Sequence, residues 1–418
     1  MNEEREVIEV KEPTDKKSKK KLVIRIVCFA VAVIVAVGAI TYGVVMLGHM
    51  DEGYTTVEAD VIDSTLIYQG NIVFQYYFTG SSDEMKKVLR ELKNRYGVAL
   101  SRVYRLIDAE VEYDGYNNIK TINKNPGTAV KVGDELYEVL KDAYEKTLLK
   151  KGYNMFAGAL YREWNSILVL EDPYEFDPLN NETEKNRIEK ISEQVNDLDN
   201  FELEFDDRAK TVKLTLSGKY RAFVNDFELT EAPVIDLNLL HDAYEIQLIA
   251  DDLEEKGYNN GYFESANGLV LSLSGHDTGA QYYFLAYYNG GITAAAISDM
   301  KKKSAVSQFR AFPYNASEHY FHTVEKDGKT YRRNPYLPSD GVFSDVIMSS
   351  YILAENSPLA DVCFYNIMLS YLKTAEDVAA AVNDLDVSVA YILQSDSTNK
   401  LYMNKAAEKT FTLPTSTD

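Results

Sequence analysis

The most apolar part of the chain lies near its N-terminus, where residues 22–47 hold Arg25 as their only charged side chain. About 20 consecutive apolar residues suffice for a membrane-spanning helix. The preceding tail, residues 1–21, ends in a cluster of lysines, which the positive-inside rule keeps in the cytoplasm. We therefore predict a single-pass anchor in the cell membrane, with the rest of the chain extracytoplasmic. A cleaved signal peptide is the alternative, although its apolar core is usually only about 7–15 residues long.

Beyond the anchor, runs rich in β-branched and aromatic residues predict strands. Residues 48–64 are predicted as a linker and first strand, and residues 65–418 as one domain. Two hairpins are expected, the first between LVLSLS and QYYFLAYY and the second between VSVAYILQ and KLYM. Further strands are expected within residues 53–78 and at residues 201–205 and 211–216.

Apolar residues at helical spacing alternate with these strands and predict helices. The first predicted helix starts at a capping box of Ser81 and Glu84 and ends at Gly97. The other predicted helices cover residues 134–151, part of 171–200, 357–372 and 374–382.

The middle of the chain, Pro233 to Gly275, is typical of a strand, a helix and a second strand. The first predicted strand is PVID, Asn238 is the predicted N-cap and Gly257 ends the helix. Such a crossover unit places a helix N-terminus beside the end of a strand. Backbone N–H groups at a helix N-terminus favour anions, so we expect a binding site at this turn.

The charge balance narrows the choice of partners. The chain has 44 basic and 65 acidic side chains and a formal net charge of −21. Nucleic acid is therefore an unsuitable partner, because its recognition requires a basic surface. With Cys28 in the predicted anchor and Cys363 far beyond it, no disulfide is expected within the chain.

Several segments, in order, carry a resemblance to a known family. The turn Asp236–Tyr244, the segment with Ile122 and Asn123, and the block Gly152–Trp164 are the first three. The segment from His322 to Gly328 and the helix with Asp361 complete the series. Together they resemble the FAD:protein FMN transferases, the ApbE or flavin-transferase family.

The resemblance implies an α+β, ApbE-like ectodomain on the N-terminal anchor, with FAD as the flavin donor and Mg²⁺ as the assisting ion. Such proteins move FMN from FAD to a Ser or Thr of a partner flavoprotein. The resemblance implies that Asp361 binds the metal and that His322 is the catalytic residue beside the pyrophosphate or flavin. The implied cofactor-binding residues are Asp236, Asn238, Asp242 and Trp164.

The chain departs from the family pattern at two positions of the implied site. Asp242 stands where the family has a lysine, and Tyr365 where it has a threonine that binds Mg²⁺. The alternative function is therefore a non-catalytic ApbE-like envelope module that binds a protein partner. The 31 tyrosines are compatible with such an interaction surface and equally with packing between strands.

Overall fold

The computed structural model describes most of the chain beyond the predicted anchor. The described residues are 50–60, 72–168, 170, 173–275, 279–288, 291–312, 322–333, 345–394 and 400–414. The predicted tail and span, residues 1–47, lie outside them, so the anchor stays a prediction. Within the described ranges, no helix is both long and apolar enough to cross a membrane.

The helices of the described residues are numbered in chain order. They are α1 (Ser82–Ile107), α2 (Ile119–Lys124), α3 (Asp134–Leu148), α4 (Gly158–Leu168), α5 (Glu182–Asn196), α6 (Gly218–Asp226), α7 (His241–Glu255), α8 (Leu359–Tyr371), α9 (Ala375–Asp384) and α10 (Ala407–Thr410). Short 3₁₀ helices cover Pro173–Phe176, Leu198–Asn200 and Asn238–Leu240.

The strands are numbered in the same way. They are β1 (Gly53–Thr56), β2 (Ile72–Phe78), β3 (Ala129–Lys131), β4 (Phe201–Asp206), β5 (Thr211–Leu216), β6 (Gly261–Ser265), β7 (Leu269–Ser272), β8 (Gln281–Tyr288), β9 (Gly291–Asp299), β10 (Ser304–Arg310), β11 (His322–Lys326), β12 (Lys329–Arg333), β13 (Ile347–Glu355), β14 (Ser388–Leu393), β15 (Leu401–Met403) and β16 (Phe411–Thr412).

Contacts divide the chain into two units, residues 1–52 with 80–86 and residues 53–79 with 87–418. In the first unit the predicted capping box is confirmed. The Ser81 hydroxyl and backbone N–H both donate to the Glu84 carboxylate, at 2.6 and 3.1 Å, and the Glu84 N–H donates to the Ser81 hydroxyl. Because these bonds satisfy N–H groups that a helix start leaves unpaired, they fix where α1 begins.

In the second unit, an eight-stranded sheet has the order β1-β2-β6-β7-β10-β13-β14-β15, with every neighbouring pair antiparallel. The predicted hairpin of β14 with β15 is confirmed. Smaller sheets have the orders β3-β5-β4, β16-β9-β8 and β11-β12. The fold is thus mixed helix and strand, as predicted.

Both faces of the large sheet are covered at its centre. Alternate side chains of β10 and β13 point to opposite sides, as strand geometry requires. Val306 and Tyr351 pack in an apolar core shared with β8, β9 and β16, whereas Ser307 and Ser350 hydrogen-bond to Asn366 of α8. The central strands are therefore buried almost along their whole length, and α8 is fixed against them.

The predicted hairpin between β7 and β8 is wrong. β7 pairs with β6 and β10, while β8 pairs with β9 in the three-stranded sheet. One face of β8 is needed to cover the large sheet, where Tyr282 and Phe284 are buried, and its other face exposes Tyr283. A strand with this role packs onto the large sheet instead of extending it.

Two other expectations need correction. The first helix does not end at Gly97 but continues to Ile107. Gly97 instead allows a close approach, because a Cβ there would be only 2.1 Å from the Asp60 carbonyl oxygen. PVID is not a strand, since residues 233–237 have no strand partner in the described structure. The predicted strand–helix–strand crossover is therefore absent, although Gly257 does follow the end of α7 with a φ of +86°.

A glycine holds the segment before α7 close to α4. Gly158 is the first residue of α4, and a Cβ there would lie 2.4 Å from the Pro233 carbonyl oxygen and 3.1 Å from Asp236 Cβ. We predict that Gly158→Ala lowers the free energy of unfolding by about 1–3 kcal/mol, since the backbone must move apart.

Gly218 is the matched control, because it is also the first residue of a helix, α6, and a Cβ there meets nothing within 4 Å. Gly218→Ala should change the free energy of unfolding by less than about 1 kcal/mol. Chemical denaturation of both variants measures the difference. Equal effects would contradict the close approach at Gly158.

Candidate functional site

A cavity of about 350 Å³ lies where the end of α1, the segment before α7, the turn between β6 and β7, strand β10 and helix α8 meet. Its walls combine apolar, amide and carboxylate groups, so both the apolar surface and the polar groups that ligand pockets use are present. The polar side chains that line it include Asp108, Glu110, Asn165, Asp236, Asn238, His241, Asp242, Glu245, Asn267, Ser307, Gln308 and Asn366.

The segment that carries the cavity wall is held by a side chain 112 residues away. The Ile235 N–H donates to Asn123 Oδ1 and the Asn123 amide donates back to the Ile235 carbonyl, both at 2.8 Å. The Asp236 N–H donates to the Met155 carbonyl at 2.9 Å. These bonds replace the ladder of a strand, which explains why PVID remains irregular and still lies in a fixed place.

Asn238 then turns the chain into α7. Its φ is +38°, and its side chain donates to the carbonyls of Asn154 and Asp236, both at 3.0 Å. The Asn238 N–H donates to Asp236 Oδ1 at 2.5 Å. Asn238 is therefore a turn residue and not the predicted N-cap, because α7 starts after it, at His241, with no side-chain cap.

The first turn of α7 brings three possible metal ligands together. One ligand atom each from His241, Asp242 and Glu245 lies within 4.8 Å of the others. His241 Nδ1 is 3.8 Å from Asp242 Oδ1 and 3.8 Å from Glu245 Oε2. Both distances exceed hydrogen-bond length, so the three groups converge without bonding directly to one another.

Burial and charge shift the pKa values of this cluster strongly. Burial raises the pKa of the Glu245 carboxyl to about 7, although His241 opposes the shift. Burial alone would lower the pKa of His241, but the carboxylates of Asp242, Glu245 and Asp236 outweigh it and raise that pKa to about 9. Burial also raises the pKa of Asp236. The cavity therefore favours an added positive charge.

Asp242 is held in place by partners of its own. Its Oδ2 accepts hydrogen bonds from the Ser265 hydroxyl at 2.6 Å and the Asn267 amide at 2.9 Å. Burial raises its pKa, but His241, Ser265 and Asn267 together lower that pKa below its ordinary value. Asp242 is thus ionised, with Oδ1 turned toward His241.

Besides Asn165 Oδ1, two buried polar atoms of the cavity lining have no hydrogen-bond partner in the described structure. They are Glu245 Oε1 and Gln308 Nε2, on side chains of residues only 4% and 8% exposed. Leaving a buried polar atom unpaired costs about 1–3 kcal/mol, and more for a charged group. Both atoms are available to a ligand inside the cavity.

The structure brings together three of the residues predicted from the sequence and places two others, Trp164 and Asp361, outside the cavity. Asp236, Asn238 and Asp242 line the cavity. Trp164 is fully buried in α4, with the Arg333 guanidinium 5.2 Å from its ring, and does not line the cavity. His322 starts β11, and its side chain lies outside the described structure, so its catalytic role stays a prediction.

Asp361 lies in the first turn of α8 but does not line the cavity. Its carboxylate accepts a hydrogen bond at 2.6 Å from the ammonium of Lys146, a residue 6% exposed. Lys146 also donates to Asp142, whose other oxygen accepts from the Tyr244 hydroxyl at 2.6 Å. The predicted metal ligand therefore already has a cation beside it.

Sequence reasoning missed His241, Glu245 and Gln308. His241 and Glu245 are four residues apart, which places them on one face of a helix, and this spacing could have identified them. Gln308 carries no such signal, because its position depends on which strands flank β10.

We predict that Asn123→Ala lowers the free energy of unfolding by about 2–4 kcal/mol, because it removes two hydrogen bonds and leaves the buried Ile235 N–H and carbonyl unpaired. Asn186→Ala is the control, since Asn186 is exposed and its amide bonds only within its own helix, to the Glu182 carbonyl. That variant should stay within about 0.5 kcal/mol. Similar losses in urea denaturation would contradict the role of Asn123.

Cys363 lines the cavity but is buried, and burial, with the Asp242 carboxylate, raises the pKa of its thiol to about 12. In a Cys28→Ser chain at pH 8, we predict that alkylation of native Cys363 is more than about 100-fold slower than in denaturant, because little thiolate is present. Mass spectrometry of iodoacetamide adducts measures both rates. Fast labelling of the native chain would mean that the thiol is exposed.

No protein-family model matches the sequence, and a search of the curated proteins finds no match. Solved structures do match. The ApbE protein of Thermotoga maritima matches with a TM-score of 0.57 at 15% identity, over 85% of this chain and 99% of that chain. The flavinyl transferase ApbE of Pseudomonas stutzeri matches with a TM-score of 0.52 at 11% identity, over 86% and 97%.

The flavin transferase ApbE of Vibrio cholerae matches with a TM-score of 0.50 at 11% identity, over 86% of this chain and all of that chain. The chain therefore has the fold of the ApbE flavin transferases, as its sequence motifs predicted. At these identities the likeness extends to the fold and not to the chemistry of the site.

Proposed function

We propose that this ApbE-fold chain is a membrane-anchored, extracytoplasmic binding module that accepts a positively charged group in its cavity and does not transfer FMN. One observation carries the proposal. Five carboxylates line the cavity, on Asp108, Glu110, Asp236, Asp242 and Glu245, and none of the described lining residues is Lys or Arg.

FAD, which the family resemblance implies, fits this lining poorly. Its pyrophosphate is anionic, and Asp242 occupies the position of the family's lysine inside the cavity. Two unit charges about 4 Å apart interact with roughly 4 kcal/mol at an effective dielectric constant near 20. The Asp242 carboxylate would repel a pyrophosphate that the family's lysine would attract, so pyrophosphate binding at this wall is unfavourable.

The implied Mg²⁺ site fits no better. Mg²⁺ prefers near-octahedral oxygen ligands, usually carboxylates together with phosphate oxygens and water. Asp361 is paired with the buried Lys146, and the neighbouring ligand position holds Tyr365. A cation beside Asp361 competes directly with a metal ion there, so no reaction step is assigned to that site.

FMN transfer to a partner flavoprotein is the second candidate function, and the shared fold favours it. The V. cholerae and P. stutzeri proteins are flavin and flavinyl transferases by name, and each aligns with most of this chain. For this activity the carboxylates near Asp242 would have to be neutralised by protons or by a cation.

An envelope protein is the partner that we propose for the module. Tyr283 and Tyr287 of β8 are 49% and 41% exposed on one face of the three-stranded sheet. Tyrosine is enriched at protein interfaces because its ring packs while its hydroxyl remains hydrated. These side chains support a protein-binding surface separate from the cavity.

FAD titration of the purified full chain tests the proposal, with and without Mg²⁺, by flavin fluorescence. We predict a Kd weaker than about 1 mM and a colourless protein. Asp242→Asn should tighten FAD binding at least about tenfold by removing one negative charge. Glu255→Gln, an exposed change on the same helix, is the control and should have no effect.

Two results would overturn the proposal. One is saturable FAD binding by the unaltered chain, and the other is Mg²⁺-dependent incorporation of FMN into an acceptor protein. The second result would also establish FMN transfer as the function.

A further inference from the structure

We infer that His241, Asp242 and Glu245 bind a divalent first-row transition-metal ion of the zinc, cobalt or manganese class in the cavity. The inference rests on the proposed function in one respect, since a metal ion is one of the cations that the cavity would accept. It concerns residues on α7 and not Asp361 of α8, where the family resemblance implies Mg²⁺.

The distances between the three ligand atoms are the first observation in favour of the metal site. They lie 3.8 Å apart in the two pairs that involve His241 Nδ1, and all lie within 4.8 Å. A point equidistant from three atoms about 4 Å apart is roughly 2.3 Å from each, close to metal–ligand distances of about 2.0–2.2 Å. A small inward rotation of the side chains completes the coordination.

The unpaired atoms of the cavity lining are a second, independent observation in favour of the metal site. Glu245 Oε1 is buried and has no hydrogen-bond partner among the described residues. A cation at the cluster would pair the Glu245 oxygen that the described residues leave without a hydrogen bond. Gln308 Nε2, also buried and without a partner, lines the same cavity and could donate to a water or an anionic group held on the ion.

The hydrogen-bond partners of Asp242 are the third observation in favour of the metal site. Ser265 and Asn267 both donate to Asp242 Oδ2, which leaves Oδ1 for the metal. Groups that orient a ligand in this way commonly change metal affinity by about 10–100-fold when they are removed. The cluster thus has an outer layer of hydrogen bonds that a chance group of acids does not need.

The donor set selects the class of ion. One imidazole nitrogen and two carboxylates suit zinc, cobalt and manganese better than magnesium or calcium, which prefer oxygen ligands alone. Three protein ligands leave one or more coordination positions for water or a ligand in the cavity. The competing explanation is that His241 is simply an imidazolium that balances the two carboxylates.

Cobalt titration of the full chain, purified in detergent and free of flavin, tests the inference. We expect one equivalent of Co²⁺ to bind with a Kd of about 10 μM or tighter and to develop a visible absorption band that Zn²⁺ abolishes. His241→Gln and Glu245→Gln should each weaken binding by at least tenfold. Glu255→Gln, exposed on the same helix, and Asp361→Asn should leave it unchanged.

Binding that is absent, unchanged in both ligand variants, or lost in Asp361→Asn would overturn the inference. Circular dichroism checks that each variant is folded. Should a ligand variant fail to fold, Ser265→Ala keeps the test decisive, because it removes one hydrogen bond from Asp242 and no ligand. Its Co²⁺ affinity should fall about tenfold, and an unchanged affinity would count against the site.

The two proposals fail separately. If the chain binds neither Co²⁺ nor FAD, the proposed metal site is wrong and the proposed binding module stands. If the chain binds Co²⁺ and also transfers FMN, the proposed binding module is wrong and the proposed metal site stands.

Discussion

The paired hydrogen bonds between the Asn123 amide and the Ile235 backbone hold the segment on which the cavity depends. No described strand pairs with this segment, so its polar backbone groups need other partners in the interior. Asn123 and the Met155 carbonyl provide them. Asp236 and Asn238 follow directly and set the direction in which α7 leaves. The first turn of α7, with its cluster of possible ligands, is therefore positioned by residues far away in the sequence.

The opposite wall depends on a different constraint, the burial of the central strands on both faces. Asn366 of α8 hydrogen-bonds to Ser307 of β10 and Ser350 of β13, so the helix and the sheet are joined through polar groups in an apolar setting. Such buried networks fix relative positions because any slip leaves a polar group unpaired. The cavity thus lies between two surfaces that hydrogen bonds hold in place.

The sequence predicted elements whose signals are local. The capping box at Ser81 and the end of α7 at Gly257 depend on residues within one or two turns, and both are observed. Prediction from the sequence failed for features that contacts between distant residues determine. Gly97 has the composition of a helix end, but it serves a close approach to Asp60, and PVID has the composition of a strand, but Asn123 takes its hydrogen bonds.

The candidate site divides in the same way. Asp236, Asn238 and Asp242 were predicted together because they belong to one short segment, Asp236–Tyr244, and they do line one cavity. Trp164 was predicted from a motif alone, and a motif does not specify the direction of a side chain. Gln308 was missed because it reaches the cavity only through the order of strands in the sheet. Short-range spacing therefore predicted part of the wall, and topology determined the rest.

Two carboxylate clusters near α7 differ in how their charge is compensated. At the first, Lys146 lies between Asp142 and Asp361 and is held by hydrogen bonds to both. At the second, His241 is the cation that the described residues place beside Asp242 and Glu245, and among those residues one Glu245 oxygen has no partner. Because buried charge is costly unless it is paired, the first cluster needs no further ion.

The second cluster still requires positive charge, from protons or from a metal ion. A divalent ion there would bring two positive charges to a wall that otherwise repels anions. The same ion could then hold an anionic or polar ligand in the cavity through its open coordination positions. In that case a cation at the His241 cluster of α7, instead of at Asp361 of α8, would determine which ligands this chain accepts. The fold alone would not.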